Sequence, residues 1–491
     1  MNALLVYPKY PDTFWSFNHI LKFISKKAIF PPLGLMTVAA MLPNEWNKKL
    51  VDVNVSELKE EQIKWADIVF ISAMIVQKES VKDVIQRCKA IGKKVVAGGP
   101  FFTTGSEYFD EVDHLVLDEA EITLPLFLED FKNGNLKKIY SSKERPDITK
   151  TPIPLWSLIN FNDYFTMAVQ YSRGCPFNCE FCDIIIMNGR VPRTKNPEQL
   201  LNELQSIYDA GWRHSVFIVD DNFIGNKIKV KEMLSLLIKW QKERNYPFTL
   251  FTEASTNLAD DAELMALMSA ANFDKVFLGI ETPDVNSLNE CAKVQNKRDL
   301  KEAVKIIHQN GMQVMGGFIV GFDSDTEDIF ETQIKFIQKT GVVTAMVGLL
   351  NALPKTRLWN RLQSENRLIG IPNGENVDGT INFIPKMSKE KLVEGYKKIL
   401  SSIYSPKNYY KRISILIEDY KPTVRNKITG NMLRAAFKSM WSIGILSNER
   451  FLYWKIIIKT FFTKIRAINL AFELAIYRQH FKKIVKNVVQ N

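Results

Sequence analysis

Three cysteines crowd together in the segment Gln170-Tyr-Ser-Arg-Gly-Cys175-Pro-Phe-Asn-Cys179-Glu-Phe181-Cys182. Three thiolates at spacings of four and three on one loop are the soft ligands that iron–sulfur clusters prefer. They are one too few to close a four-iron cluster, which leaves one iron free for a ligand that is not protein. A zinc knuckle and ordinary buried thiols are the other readings. Zinc wants a fourth Cys or His close by, and His114 and His214 are out of motif spacing. Cys88, in an amphipathic helical pattern, and Cys291, in a polar stretch, read as structural or incidental. His19, His308 and His480 belong to no constellation. Five cysteines in 491 residues make no disulfide framework, which points to a reducing cytoplasm and a metal site.

The C-x3-C-x2-C spacing, with Phe181 just before the last cysteine, resembles the signature of the radical S-adenosylmethionine superfamily. The resemblance implies a [4Fe-4S] cluster on Cys175, Cys179 and Cys182, its free iron chelated by the amine and carboxylate of S-adenosylmethionine. Splitting of that sulfonium would yield a 5′-deoxyadenosyl radical able to take hydrogen from an unreactive C–H bond. An electron donor such as flavodoxin or ferredoxin is then a required partner. Further segments fit the superfamily. Asp220, Asp221 and Asn222 end a strand where it places the groups that hold the methionine amine, Glu253 with Ser255 ends the next, and Glu281 the one after. Gly317-Phe-Ile-Val-Gly321 matches its Gly-x-Ile-x-Gly pattern, where backbone approaches adenine. Without Cβ atoms a planar ligand can lie against the main chain. Taken singly, each segment also reads as helix-capping acids or a strand-end turn.

The elements that must position these groups form two series. Over the first 136 residues, apolar runs at Ala3–Tyr7, Lys49–Val55, Ile68–Ile75, Lys94–Gly98 and His114–Leu117 alternate with helical patterns. Continuous β-branched runs between helix-length segments predict a parallel sheet covered on both faces, Rossmann-like or flavodoxin-like, with ligands at the carboxyl ends of its strands. Residues 137–165, with Pro146, Pro152 and Pro154, read as an extended linker. A second series over 166–370 has six apolar runs, beginning at Met167–Gln170, Ser215–Val219, Thr249–Phe251, Lys275–Ile280, Gln313–Val320 and Ala345–Leu350. Six βα units fall short of a full barrel and predict a partial (βα)6 TIM-type barrel, so the fold class is α/β. Residues 371–491 read as a mostly helical region with a basic tail.

A Rossmann-type layer ahead of a radical barrel resembles the cobalamin-binding branch of the superfamily, and the overall pattern is similar to the hopanoid C-2 methylase family. The likeness rests on Thr13-Phe-Trp-Ser-Phe17, Pro31-Pro-Leu-Gly-Leu35, Ala97-Gly-Gly-Pro100, Ser172-Arg-Gly-Cys-Pro-Phe177, Val219-Asp-Asp-Asn-Phe-Ile-Gly-Asn226 and Gly316-Gly-Phe-Ile-Val-Gly-Phe-Asp323, spread over residues 1–420. It implies methyl transfer from cobalamin to an unactivated carbon of a polycyclic lipid. Gly98 and Gly99, at a strand end, could admit the corrin edge or nucleotide tail; a tight turn is the plainer reading. The Asp-x-His-x-x-Gly motif that supplies a lower cobalt ligand is absent. The cofactor would then be held without a protein histidine on cobalt. The alternative is a relic layer that binds no corrinoid, in a radical enzyme that forms C–C bonds or rings in lipids.

Residues from Pro422 onward carry thirteen Lys or Arg and two Glu, so the whole excess of +11 sits on the tail. Between Asn448 and Val489 these cations interleave with Phe451, Trp454, Phe461, Phe462, Phe472, Phe481 and others. Such a pattern suits peripheral contact with an anionic membrane at its inner face, or equally a packed helical domain with a basic face. RNA modification is the competing reading of this charge; the family resemblance implies a lipid and not a nucleic acid. No basic leader with a cleavage site opens the sequence and no apolar stretch suffices to cross a bilayer, so a cytoplasmic location is expected.

Overall fold

The computed structural model describes residues 1–21, 23–375, 377–423 and 429–490, with residue 431 described by its backbone alone. Two parallel sheets organise the chain. The first contains β1 (Asn2–Tyr7), β2 (Asn47–Asp52), β3 (Ile68–Ser72), β4 (Lys94–Gly98), β5 (His114–Val116) and β6 (Ile139–Tyr140), in the order β2-β1-β3-β4-β5-β6. The first five follow the flavodoxin-like order. Leu4, Val6, Val69 and Val95 pack under one face and Ala3, Leu5, Phe70 and Val96 under the other, as a sheet with helices on both sides requires.

One sequence expectation is corrected here. The stretch 137–165 is not wholly a linker, because Ile139 and Tyr140 pair with Leu115 and Val116 as a sixth strand. Two residues are too short to show any alternation. The rest of the stretch is extended but anchored: Leu155 donates its N–H to the Met36 carbonyl at 3.1 Å, and the Tyr164 hydroxyl donates to Asp52 Oδ2 at 3.0 Å.

The second sheet contains β7 (Met167–Val169), then, beyond a small hairpin of β8 (Ser172–Arg173) and β9 (Arg193–Thr194), the strands β10 (Val216–Ile218), β11 (Leu250–Ala254), β12 (Phe273–Glu281), β13 (Gln313–Val320) and β14 (Ala345–Leu349). Their order, β14-β13-β12-β11-β10-β7, is sequential and every pairing is parallel. This is the predicted six-unit partial barrel, its end strands β7 and β14 unpaired with each other. β11 runs past its expected end at Phe251, which puts Glu253 in the strand itself.

Among the described residues beyond the barrel lie five helices, Lys389–Ile403, Pro406–Asp419, Gly430–Ser442, Arg450–Thr463 and Ile468–Gln490. The last is no free amphipathic tail. Leu474, Phe481 and Ile484 are buried, and the Phe481 ring stacks on Phe14 at 4.6 Å. No helix among the described residues is long and apolar enough to cross a membrane.

Candidate functional site

The cysteine loop leaves the carboxyl end of β7 and returns through β9. Asp220 braces its start: Oδ1 accepts the Tyr171 N–H at 2.8 Å, and Oδ2 accepts the Ser172 N–H at 2.8 Å and hydroxyl at 2.6 Å. Burial raises this carboxyl to about 7 against those hydrogen bonds. Both Asp220 oxygens are thus engaged within the loop and the side chain is fully buried, so in this structure it braces the loop. It lies just past the end of β10, between Val219 and Asp221, which line the large cavity described below. Asp221 accepts from the Gly174 N–H at 3.1 Å and from Asn188 Nδ2 at 2.9 Å.

Around the sulfurs, Asn222 Nδ2 donates to Cys175 Sγ at 3.7 Å and Gln295 Nε2 to Cys179 Sγ at 3.6 Å. Ser255 donates its N–H to Asn222 Oδ1 at 3.2 Å, which fixes the amide with its NH2 toward sulfur. Burial pushes the Cys175 and Cys182 thiols up, so a nearby cation or metal is needed to hold them as thiolates. Lys293 is such a cation. It is buried, pairs with Glu281, lies 5.8 Å from the Phe181 ring and is held charged mainly by Glu281 and the neighbouring thiols, against its own desolvation. Glu281 is thus paired with lysine and does not face open space.

Two ion-pair clusters clamp the loop from outside. Glu180, between Cys179 and Phe181, accepts from Arg361 Nε at 2.7 Å, and Arg361 also donates to Asp323 at 2.8 Å. The Glu180 N–H donates to the Cys291 carbonyl at 2.9 Å, so Cys291 serves the loop through its backbone. On the other side Arg173 donates to Glu121 at 2.7 Å and Glu119 at 2.8 Å, at the start of the helix Ala120–Asn133 of the first sheet. Lys293, Arg361 and the Arg173 partners carry no motif spacing, so no sequence signal could have found them.

Among the described residues no three His, Cys, Asp or Glu side chains converge as a single ion needs. A four-iron cube instead spreads its thiolates around separate corners. The donor set fits it: three thiols on one loop, two amide donors to sulfur and one buried cation.

The carboxyl ends of both sheets face one cavity of about 940 Å³, near the upper end of the ordinary range for small-molecule sites. Gly98, Gly99, Asp221 and Glu253 line it, whereas the three cysteines do not; the loop reaches it at Asp183, Ile184 and Asn188. Five of the six segments that carried the sequence resemblance contribute to its wall: Thr13–Ser16, Pro31–Leu35, Ala97–Pro100, Arg173, and Val219 with Asp221. Phe30 and Phe217, ring centroids 5.3 Å apart, give it an aromatic side. The Glu253 side chain makes no hydrogen bond or ion pair among the described residues, and burial with the nearby Asp221 charge raises its carboxyl to about 8.

The cradle suits a large, partly polar ring system. At Gly99, φ is +89° and a Cβ would meet Ser72 Oγ at 2.4 Å; at Gly98 a Cβ would meet the Val116 carbonyl oxygen at 2.4 Å. Glycine there keeps the strand ends thin where the cavity opens. Its lining residues include no histidine, and His114 lies at the opposite end of β5, 2.7 Å from the Lys137 carbonyl. A corrinoid seated here would have no protein imidazole on cobalt. At Gly317 the room a side chain would take is filled by the Phe277 ring, 2.8 Å away, and Leu392 lies 3.2 Å from the Cβ position of Gly321, so both glycines are also needed for packing.

Residues 23–128 match the B12 binding domain family, 169–337 the radical SAM superfamily, and 356–491 a domain of unknown function. The chain is 45% identical to an uncharacterized methyltransferase of Synechocystis sp. over 92% of its length and 86% of the relative's. It is 33% identical to the hopanoid C-2 methylase of Rhodopseudomonas palustris, over 92% and 88% of the two chains. A solved structure of the cobalamin-dependent S-adenosylmethionine radical enzyme OxsB with aqua-cobalamin bound shares the fold, with a TM-score of 0.66 at 15% identity over all of this chain and 80% of that one.

Proposed function

Because this chain belongs to the cobalamin-dependent radical S-adenosylmethionine methyltransferases, enzymes that work with a [4Fe-4S] cluster, S-adenosylmethionine and cobalamin, we propose that it methylates an unactivated carbon of an apolar, hopanoid-like lipid. The observation that carries this reading is the convergence of family segments from both sheets on one cavity whose wall is mostly apolar surface with aromatic rings, set beside charged groups such as Arg173, Asp221 and Glu253. When bound, the cluster and S-adenosylmethionine supply a carbon radical, and the corrinoid supplies the methyl group.

In this proposal Cys175, Cys179 and Cys182 hold the cluster, with Phe181, Asn222, Ser255, Glu281 and Lys293 around it. Asn222 and Gln295 donate to sulfur and favour the thiolate form; Lys293 offsets negative charge in a site largely shut off from water. Gly98 and Gly99 admit the corrinoid, and Phe30 and Phe217 exclude water from the substrate space. Glu253, its carboxyl raised by burial and the nearby Asp221 charge, offers a hydrogen-bond donor to the cavity. The B12 binding domain match speaks against the corrinoid-free alternative. An electron donor is required in either case.

The test compares lipids of cells with and without the protein. Loss of a lipid series heavier by one methyl group supports the reading; an unchanged lipid profile with a methyl group lost from another class of molecule overturns the substrate assignment.

A further inference from the structure

Ten exposed large apolar side chains lie between residues 433 and 465. In the helix Gly430–Ser442, Ala435 and Ser439 are buried, while Leu433, Phe437 and Trp441 stand on the other side at a spacing of four, the last two 68% and 62% exposed. The following turn adds Leu446, and the helix Arg450–Thr463 adds Phe451 and Phe462, 76% and 80% exposed. Single exposed apolar residues are ordinary; a concentration like this marks an interaction surface.

Its charge selects the partner. Arg434, Lys438, Arg450, Lys455 and Arg466 are exposed in the same stretch. The two acids of the region are spent inside the fold: Glu449 pairs with Arg478 at 3.1 Å, and Glu473 with Lys275 at 3.3 Å and the Tyr477 hydroxyl at 2.6 Å. Apolar groups framed by cations fit an anionic lipid surface, where the rings enter the acyl boundary and the cations meet phosphates. A second copy would bring like charges face to face.

One chain segment links the surface to the cavity. Lys438 Nζ donates to the Phe23 carbonyl at 3.2 Å, and Phe23 shares a shallow groove with Phe437 and Trp441. A few residues earlier, Thr13–Ser16 and Asn18 line the cavity. We infer that this face docks on an anionic bilayer leaflet and sets the cavity beside the membrane, so that a lipid substrate enters past residues 13–18. The docking stands on the surface alone, and the entry route rests on the lipid reading above.

The experiment is sedimentation of the full chain with vesicles of phosphatidylcholine, with or without one-third phosphatidylglycerol. The expected result is binding to the anionic vesicles, weakened about 10-fold in 1 M salt and about 10-fold in the double variant F437S/W441S. The variant should keep its circular dichroism and its S-adenosylmethionine cleavage. Equal sedimentation of wild type and variant overturns the proposal. So does a dimer that the variant splits, or an RNA that binds through these residues in place of vesicles. Vesicle binding by a protein whose methylated product is not a lipid upholds the docking and refutes the substrate reading instead.

Discussion

Arg173, two residues before Cys175, donates to Glu121 at 2.7 Å and so ties the cysteine loop of the barrel to the first sheet's layer. The pair is nearly buried, and its partners Glu119 and Arg193 extend it into a network across the cavity rim. Arg173→Ala should therefore spoil the alignment of the two halves more than either half alone. Methylated product should fall about 100-fold, while 5′-deoxyadenosine formation changes by no more than about 3-fold. Parallel loss of both products would mean that the pair merely holds the loop together.

The same pair gives an acid signature. Its hydrogen bonds to Arg173 hold the Glu121 carboxyl at about 2, below its ordinary value and against the cost of burial. A depressed carboxyl contributes stability that is present above the unfolded value and lost as pH falls through the folded one. Between about pH 4.5 and 2 the wild type should lose more stability than Arg173→Ala, read as denaturation midpoints along the pH series.

Asp220→Ala leaves two backbone N–H groups and a hydroxyl without their acceptor, at a cost of about 2 to 4 kcal/mol. Iron content after anaerobic reconstitution should drop with it. S-adenosylmethionine affinity measured on whatever cluster-loaded protein remains should stay within about 3-fold, because both carboxylate oxygens are taken by the loop. A selective loss of that affinity would restore Asp220 as a ligand-holding group.

Glu253 titrates in the opposite sense from Glu121. Its carboxyl is raised to about 8, so the stability tied to its proton is complete below the ordinary carboxylate value and is lost as pH rises through about 8. Glu253→Gln removes that dependence: unfolding midpoints of the cofactor-free protein should decline less from pH 6 to 8.5 in the variant than in the wild type. Identical slopes would show that Glu253 is charged throughout.

Gly99→Val forces a branched side chain onto a φ of +89° and into Ser72. Corrinoid retained after reconstitution, read from its visible absorption, should fall at least about 10-fold, with iron content unchanged.

The strands were legible because buried parallel strands leave continuous apolar runs, and Gln313–Val320 matches its expected bounds. β6 was not, since two residues at a sheet edge leave no pattern. The cysteines announced themselves by spacing, whereas Lys293 and Arg361 come from distant points of the chain and meet the loop only once it has folded. The surroundings of Asp220 and Gly317 were not legible, because a motif names residues without their neighbours: both Asp220 oxygens are taken by the cysteine loop, and the Phe277 ring lies against Gly317.

The central claim is that three thiolates hold a four-iron centre that cleaves S-adenosylmethionine. The direct measurement is 5′-deoxyadenosine formed by anaerobically reconstituted protein under a low-potential reductant, with iron and sulfide assayed on the same sample. The claim requires about four of each per chain, and product in the wild type but none in Cys179→Ala. Bound zinc in place of iron, or equal product from the variant, contradicts it.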